Sequence, residues 1–308
     1  MRPALDVEIA GLKLKNPIVT ASGTFGFGLE YEPYVNLAAL GGVVLKSVTT
    51  NPRQGNPPPR VTETPAGMLN SIGLQNPGVT EVIDHYLPEL RRRRVKVIAS
   101  VAGETAEEYE LVAGRLAHAG VDAIEINLSC PNVSRGGMAF GADMEVVKSV
   151  TGRVRAVSGD LPVFAKLGVL GKDVVEAART AALAGASGVS LINTLPGLAV
   201  DIKKRRPVLG NITGGLSGPA IKPVALWAVW RVYKELGLPI IGMGGVTTIQ
   251  DVLEFIMCGA TVVAVGTGNF VNPRLTMELA AGLDQALALE GIQDIKELIG
   301  AAHLGSER

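Results

Sequence analysis

The apolar positions of the chain fall into short runs that recur at regular intervals. Eight such runs lie between residues 17 and 266, and nearly all are rich in β-branched residues. Continuous short apolar runs are typical of strands that are buried on both faces, as in a parallel sheet. The runs are 17–21, 43–47, 95–101, 122–127, 162–167, 188–193, 239–242 and 261–266.

Between most of these runs the apolar positions change to helical spacing. Alternating strands and helices over about 250 residues predict an α/β fold, the (β/α)8 TIM barrel. An open doubly wound sheet is the nearest rival, but it favours a GxGxxG turn after its first strand, where this chain has SGTFGFG. The clearest helical segments are 104–118, 144–157, 174–184, 220–236 and 249–258.

Three segments interrupt the alternation of predicted strands and helices. Residues 5–8 and 12–14 alternate in polarity around a turn, which predicts an N-terminal β-hairpin that plugs one end of the barrel. Residues 49–78 form a long insertion rich in Pro, Gly and Asn, and its apolar centre, 68–74, is expected to be a pocket wall. Residues 194–218 are expected to cover the same catalytic face. No linker is visible, so residues 1–308 are predicted to be a single domain.

Composition and charge narrow the class of protein. The chain has 38 glycines among 308 residues and only 4% aromatic residues, so it packs aliphatic side chains and turns often. Its 29 basic and 29 acidic residues cancel, which gives no indication of nucleic acid or an anionic membrane as partner. Two distant cysteines, a charged N-terminus and the lack of an apolar run of about 18 residues favour a soluble cytoplasmic protein.

The stretch DAIEINLSCPN, residues 122–132, is the strongest candidate for chemistry. It begins as a predicted strand and ends in Cys130, which Pro131 fixes in a loop beyond the strand's carboxyl end, where barrel enzymes keep their catalytic groups. Asn127 and Asn132 flank the thiol with amide donors and acceptors. A cysteine is usually a small buried hydrophobe, but these neighbours favour a substrate site with its own acid or base.

Two lysines lie inside apolar runs at the ends of predicted strands. Lys46 follows VVL and Lys166 follows VFA, and neither run contains a carboxylate. A single lysine there either extends to solvent or points at an anion on the catalytic face. Two of them at equivalent strand ends indicate an anionic ligand with more than one charged group.

Glycine clusters follow the last two predicted strands. The sequences IGMGG at 241–245 and VGTG at 265–268 allow backbone N–H groups to approach an oxyanion closely, and TGGLSG at 213–218 is a third such stretch. Barrels commonly bind phosphate between these two loops. Glycines also serve simple turns, but a pair of clusters at this position favours a cofactor that carries one phosphate.

Amide side chains recur at the same strand ends. Asn70, Asn127, Asn132 and Asn193, with the hydroxyl of Thr194, suit a flat ring that bears amides, although any one asparagine alone is typical of a turn. Neither a metal nor a histidine base is expected, because ligand spacing is absent from the three histidines, His85, His118 and His303.

These motifs together resemble the class 1 dihydroorotate dehydrogenases across nearly the whole chain. The cysteine of NLSCPN indicates class 1, because the membrane-bound class 2 enzymes have serine there. The following GGMAFG and the N-terminus resemble the NAD-linked class 1B catalytic subunit more than the fumarate-linked class 1A homodimer. The motifs are LKNPIVTASGTFGFG, PRQGNPPPRVTETPAGMLNSIGLQNPG, NLSCPN, INT, GGLSGPAIKP, GMGG and VAVGTGNF.

The resemblance implies an FMN-binding barrel that oxidises (S)-dihydroorotate to orotate in pyrimidine (UMP) biosynthesis. It implies that Cys130 removes the C5 proton while FMN accepts the C6 hydride, with Lys166 near the N1/O2 edge of the flavin. The implied substrate-binding residues are Lys46, Asn70, Ser71, Ile72, Gly73, Leu74, Asn127, Asn132, Asn193 and Thr194. The implied cofactor-binding residues are Ser22, Lys46, Ser100, Asn127, Lys166, Ile192, Gly218, and, for the phosphate, Gly244, Gly245, Gly266 and Thr267.

The chain departs from the family pattern at two places. Ser100 stands where the family commonly has asparagine, and LGVLGKDV follows Lys166 in place of a Ser-Pro-Asn-like turn. The chain also has no cysteine cluster for iron–sulfur and no dinucleotide-binding glycine fingerprint. Reaching NAD is therefore expected to need a partner subunit that holds FAD and an iron–sulfur cluster. The resemblance implies a homodimer of this chain alone and a heterotetramer with that partner.

Several alternatives stay open at this point. A related flavin barrel that acts on another dihydropyrimidine shares the cysteine and the amides but has less use for Lys46, because its substrate lacks a carboxylate. A fumarate-linked class 1A enzyme differs in the electron acceptor. A flavin-free barrel that binds a phosphorylated metabolite, as an isomerase or a non-catalytic binder, uses the same glycines. An inactive docking scaffold is disfavoured by the intact Cys130, Lys46 and Lys166.

Overall fold

The computed structural model describes residues 2–128, 143–169 and 173–304. A π-helical segment, Val82–Tyr86, joins the first two helices. The described strands are β1 Val7–Ile9, β2 Leu12–Leu14, β3 Ile18–Thr20, β4 Val43–Val44, β5 Val61–Thr64, β6 Gly67–Asn70, β7 Val97–Val101, β8 Ala123–Asn127, β9 Val163–Leu167, β10 Gly188–Leu191, β11 Leu195–Gly197, β12 Val200–Asp201, β13 Arg206–Pro207, β14 Gly214–Ser217, β15 Ile240–Met243 and β16 Val262–Val265. The described helices are α1 Val79–Glu81, α2 Leu87–Arg92, α3 Ala106–His118, α4 Met144–Val157, α5 Val174–Leu183, α6 Lys222–Leu236, α7 Ile249–Met257, α8 Gly268–Val271 and α9 Leu275–Leu289.

Eight parallel strands form the central sheet in the order β3-β16-β15-β10-β9-β8-β7-β4. A parallel bridge between Val19 and Gly42 brings the two end strands together, and the Thr20 hydroxyl accepts a hydrogen bond of 3.0 Å from the Val44 backbone N–H. Helices flank the sheet, so the predicted (β/α)8 barrel is confirmed. Seven of the eight predicted apolar runs contain one of these strands, and the run 239–242 covers all of β15 except Met243.

The continuous apolar runs are explained by burial on both faces. Every residue of β7, β8 and β9 is buried, including the polar ones. The flanking helices begin where a side chain satisfies their first N–H groups. Thr105 caps α3, Asp143 caps α4, and Thr248 forms a reciprocal capping box with Asp251 at the start of α7.

The predicted N-terminal hairpin is present. β1 and β2 pair in antiparallel register, with Val7 opposite Leu14 and Ile9 opposite Leu12. These four side chains are buried, whereas Glu8 between them is exposed. The alternation in the sequence therefore places one apolar face of the hairpin in the hydrophobic core.

A second sheet, which we call the wall sheet, was not predicted. It has the order β11-β14-β6-β5 and pairs the two irregular insertions with each other. Gly215 lies opposite Asn70, and Leu195 lies opposite Leu216. β6 and β14 are short and contain glycine, and neither alternates between buried and exposed positions, so neither insertion shows strand periodicity on its own. Because the two insertions pair with each other, both cover the same face of the barrel, as expected.

Candidate active site

A cleft opens at the carboxyl ends of the barrel strands and is covered on one side by the wall sheet. It encloses about 1110 Å³ of space, its open mouth included. The residues predicted for substrate or cofactor that line it are Ser22, Lys46, Asn70, Ile72, Gly73, Leu74, Asn127, Lys166, Ile192, Asn193, Thr194, Gly218, Gly244, Gly245, Gly266 and Thr267.

The floor of the cleft, as we use the term, consists of Ser22, Lys46, Asn127 and Lys166, which lie at or just beyond the ends of β3, β4, β8 and β9. Lys166 is almost fully buried, and its ammonium donates a hydrogen bond of 2.7 Å to the Ser22 hydroxyl. Among the described lining residues, only Lys46 and Lys166 carry a full charge. The floor is therefore positively charged and suits an anionic ligand.

Asn127 is fixed from two sides. Its side-chain NH₂ donates to the Ser47 hydroxyl at 3.0 Å, and its backbone carbonyl accepts a hydrogen bond of 2.8 Å from the Tyr109 hydroxyl. Its side-chain oxygen is buried and accepts no hydrogen bond from any described residue. A buried amide oxygen with an unused acceptor is costly unless a ligand supplies the donor. These contacts fix the Asn127 side chain at the edge of the cleft.

The glycine clusters form a backbone-lined end of the cleft. Gly244 and Gly245 have φ of +131° and +79°, a region that favours glycine. The backbone N–H groups of Gly244, Gly245, Gly266 and Thr267 donate to no acceptor among the residues described. These donors match what a phosphate group requires.

Gly266 provides a separate indication that this end holds a ligand. A Cβ atom there would lie 3.6 Å from Ala21, an ordinary contact, and its φ is not in the glycine region. Neither backbone nor packing therefore demands glycine at this position. The absent side chain leaves space inside the cleft, which fits a phosphate-bearing cofactor.

A partly buried ion-pair network lies behind the glycine end. The Lys222 ammonium donates to Asp251 at 2.6 Å and to Glu254 at 2.7 Å, and Thr247 and Thr248 donate to Asp251 from their backbone N–H groups. Burial opposes ionisation of Asp251, but these hydrogen bonds outweigh burial and lower its pKa to about 2. The same contacts raise the pKa of Lys222. The network holds the start of α6 against the start of α7 and so supports the loop that carries Gly244 and Gly245.

The opposite side of the cleft is built by the insertions. The Asn70 NH₂ group donates to the Gly215 carbonyl at 3.2 Å, which ties β6 to β14. Asn193 accepts a hydrogen bond of 2.8 Å from the Thr194 backbone N–H. The expected pocket wall at 68–74 is present, with Met68, Asn70, Ile72, Gly73 and Leu74 facing the cleft.

Four predicted site residues are not among the lining residues. Ser71 and Ser100 are fully buried away from the cleft. Ser100 reaches the site indirectly, because its hydroxyl lies 3.0 Å from that of Ser47, which contacts Asn127. Cys130 and Asn132 lie outside the described residues, as does part of the unusual loop after Lys166, residues 170–172.

Several lining residues were missed by the sequence analysis. Ser47 follows Lys46 directly and was overlooked, because strand alternation places neighbouring side chains on opposite faces, whereas here the chain has already left β4. The Ser217 hydroxyl accepts a hydrogen bond of 2.7 Å from Thr267 and joins the wall sheet to the glycine end. Thr24, Val61, Ile221, Met243 and Phe270 also face the cleft.

No described helix is both long and apolar enough to span a membrane. Within ranges 2–128, 143–169 and 173–304 no group of three or more His, Cys, Asp or Glu side chains is arranged to hold a metal ion.

Comparison with known proteins agrees with this geometry. The family profile described as dihydroorotate dehydrogenase matches residues 4–287. A curated relative from Desulforamulus reducens is 54% identical over 99% of this chain and 100% of its own length. A relative from Desulforudis audaxviator is 55% identical over 98% of this chain and 99% of its own length. A relative from Thermoanaerobacter pseudethanolicus is 52% identical over 96% of this chain and 98% of its own length.

All three relatives are named dihydroorotate dehydrogenase B (NAD(+)), catalytic subunit. The profile covers most of the chain and the relatives cover nearly all of it, so the resemblance seen in the sequence motifs is confirmed. The chain therefore belongs to the dihydroorotate dehydrogenase family.

Proposed function

We propose that this chain oxidises (S)-dihydroorotate to orotate in pyrimidine biosynthesis, with FMN as the bound cofactor and NAD as the final acceptor. The observation that carries the proposal is the convergence of Lys46, Lys166 and the fixed amide of Asn127 on one cleft with unused backbone donors at its glycine end. Family membership supplies the reaction, and the cleft supplies groups that match its substrate.

The substrate of this proposal is a flat ring that carries amides and one carboxylate. Lys46 binds the carboxylate, since a cation beside an anion forms a strong charge-assisted hydrogen bond. Asn70, Asn127 and Asn193 line the cleft and are the proposed partners of the ring amides. Asn132, Thr194 and the segment 71–74 complete the proposed substrate site, although Ser71 contributes from behind the cleft surface.

The cofactor of this proposal is FMN. Gly244, Gly245, Gly266 and Thr267 hold its phosphate, and Lys166 with Ser22 lies at the flavin end, with Asn127, Ile192 and Gly218 beside them. Bound FMN supplies the acceptor for the hydride that leaves C6 of the substrate. Ser100 acts on this site through Ser47.

Cys130 is the proposed base, a role that rests on the NLSCPN motif. Its thiolate removes the C5 proton, and the electron pair left at C5 forms the ring double bond as C6 loses hydride. A free thiol has a pKa of about 8.5, and neighbouring cations or donors lower it. The Cys130→Ser variant is expected to retain FMN, but its turnover rate near neutral pH is expected to fall at least about a hundredfold. Near-normal turnover of this variant would refute the assignment.

A partner subunit with FAD and an iron–sulfur cluster is the proposed route from FMN to NAD. The relatives' name, catalytic subunit, supports a second component. We include in the proposal a homodimer of this chain alone, a heterotetramer with the partner, a single-domain organisation and a cytoplasmic location.

A product assay tests the proposed reaction. The purified chain is supplied with FMN and a dye acceptor, which needs no partner subunit, and orotate formation from dihydroorotate is followed against dihydrouracil as the competing substrate. Orotate formation with no turnover of dihydrouracil is expected. Preference for dihydrouracil favours the related dihydropyrimidine enzymes, and fumarate replacing the dye efficiently favours the class 1A alternative.

A further inference from the structure

A carboxylate lies inside the barrel directly behind the cleft. Glu125 is on β8, two residues before Asn127, and its side chain is fully buried. It does not line the cleft, and neither of its oxygens accepts a hydrogen bond from any described residue. Nothing in the proposed mechanism uses this group.

Lys166 is the cation that faces this carboxylate. Its ammonium lies 3.7 Å from a Glu125 oxygen, and the two side chains are 5% and 0% exposed. The same ammonium donates to Ser22 on the cleft side. Lys166 therefore stands between the buried carboxylate and the cleft, with one side toward each.

Burial makes this pair interdependent. An isolated charge in a protein interior is strongly unfavourable, so each of these two charges compensates the other. A salt bridge at 3.7 Å without further donors to the carboxylate contributes little net stability, and replacing both partners by neutral residues is often harmless. An arrangement that adds little to stability but fixes the position and charge of a cleft lysine points to a role in the site.

We propose that Glu125 is a positioning residue whose carboxylate keeps Lys166 charged and held at the flavin end of the cleft. This inference rests on the proposed function, because it assigns Lys166 to the cofactor. The other charged side chain among the described lining residues is Lys46, which has the same sign as Lys166 and cannot replace Glu125. Ser190, opposite Lys166 on β10, is also buried without a described partner but carries no charge.

A stability cycle on the apoprotein tests the pairing without any cofactor. Glu125→Gln and Lys166→Met each leave one buried charge unpaired and are expected to lower Tm by roughly 10 °C. The double variant removes both charges, so it is expected to recover more than half of that loss. If Glu125→Gln is insoluble, recovery of soluble protein by the added Lys166→Met is the same result. A double variant as unstable as the sum of the two single changes shows that Glu125 acts independently of Lys166, and overturns the proposal.

A second measurement reads the charge of Lys166 at the flavin. Sulfite adds to the flavin N5 and leaves negative charge near N1, so its affinity reports a cation there. In the wild type the sulfite Kd is expected to follow only the ionisation of sulfite itself between pH 6 and 9. In Glu125→Gln, burial without a counter-ion favours neutral Lys166, so sulfite binding is expected to weaken by a further tenfold or so as pH rises.

Ser190→Ala is the matched control for this measurement, because it alters the same buried region without changing a charge. It is expected to follow the wild-type profile. A Glu125→Gln profile that superimposes on the wild type would also overturn the proposal. Failure of the chain to bind FMN would instead contradict the proposed function, and the stability cycle would still decide whether Glu125 and Lys166 act as a pair.

Discussion

The two sides of the cleft differ in how their side chains are held. On the floor, Lys166 and Asn127 are buried, and their hydrogen bonds go to other side chains at the barrel strand ends. In the wall sheet, Asn70 is only partly buried and its amide is used to join two strands. Val61, on the edge strand β5, is 49% exposed although it faces the cleft.

This difference indicates a division of roles. Groups fixed by a rigid barrel hold their geometry, which hydride and proton transfer require. Short, partly exposed strands open more readily, and regions of low local stability commonly control access to a site. We therefore expect changes on the floor to affect binding and chemistry strongly, and changes in the wall sheet to have smaller effects.

The largest contrast is expected between Lys46→Met and Asn70→Ala. Loss of the Lys46 charge removes the proposed partner of the substrate carboxylate, so kcat/KM for dihydroorotate should fall by about a hundredfold. Asn70→Ala should cost about tenfold, because a neutral hydrogen bond is weaker. Steady-state kinetics with a dye acceptor measure both, and FMN content serves as the control. Equal losses, or a larger loss for Asn70→Ala, would contradict the division between floor and wall.

A moderate effect on the cofactor is expected at the glycine end. A Cβ on Gly245 would lie 2.9 Å from both the Gly218 carbonyl oxygen and the Lys222 Cβ, at φ +79°. Gly245→Ala should strain the loop by about 1–3 kcal/mol and weaken FMN binding about tenfold or more, as measured by fluorescence titration.

Gly237→Ala is the matched control for this change. Gly237 ends α6 at φ +59°, and a Cβ there has nothing within 4 Å. The control should lower stability by about 1 kcal/mol without altering FMN affinity. If both variants bind FMN equally well, the glycine end is not the phosphate site.

The smallest effect on ligand binding is expected from the network behind the glycine end, which acts through the stability of the fold. Because the pKa of Asp251 is lowered from 3.8 to about 2, its ionised form stabilises the fold by about 2 kcal/mol above pH 4, and this contribution disappears as pH falls toward 2. Asp251→Asn should lower stability at pH 6 and flatten its decline on acidification. Urea unfolding at pH 6 and pH 3 measures this, with the exposed Asp160→Asn as control. If the free energy of unfolding of Asp251→Asn fell on acidification as much as that of the wild type, the lowered pKa assigned to Asp251 would be contradicted.

The sequence predicts the barrel well because burial on both faces leaves a strong pattern. Seven of the eight barrel strands lie within predicted runs, β15 extends one residue beyond its run, and α4 has the predicted bounds, 144–157. The start of α9 was indicated by Pro273, but its extent was not predicted, since its sequence, LTMELAAGLDQALAL, is apolar over most of its length and shows little periodicity. The wall sheet was missed for a different reason, because its strands acquire their pairing only when two insertions distant in sequence meet.

For the site, strand-end position was the informative feature. Lys46, Asn127 and Lys166 were identifiable because a polar residue within an apolar run is unusual. Ser47 and Ser217 were not, because their roles depend on hydrogen bonds to Asn127 and Thr267 that no spacing encodes. Glu125 is also a polar residue within an apolar run, AIEIN, but its burial and its distance from Lys166 depend on the folded chain.

An anaerobic visible spectrum of the purified, FMN-loaded chain, before and after addition of L-dihydroorotate, is the most direct test of this account. We predict a flavin band that bleaches when dihydroorotate is added, with no partner subunit present. A flavin band that persists would contradict dihydroorotate as the substrate, and a chain that takes up no FMN at all would contradict the assignment of the cleft.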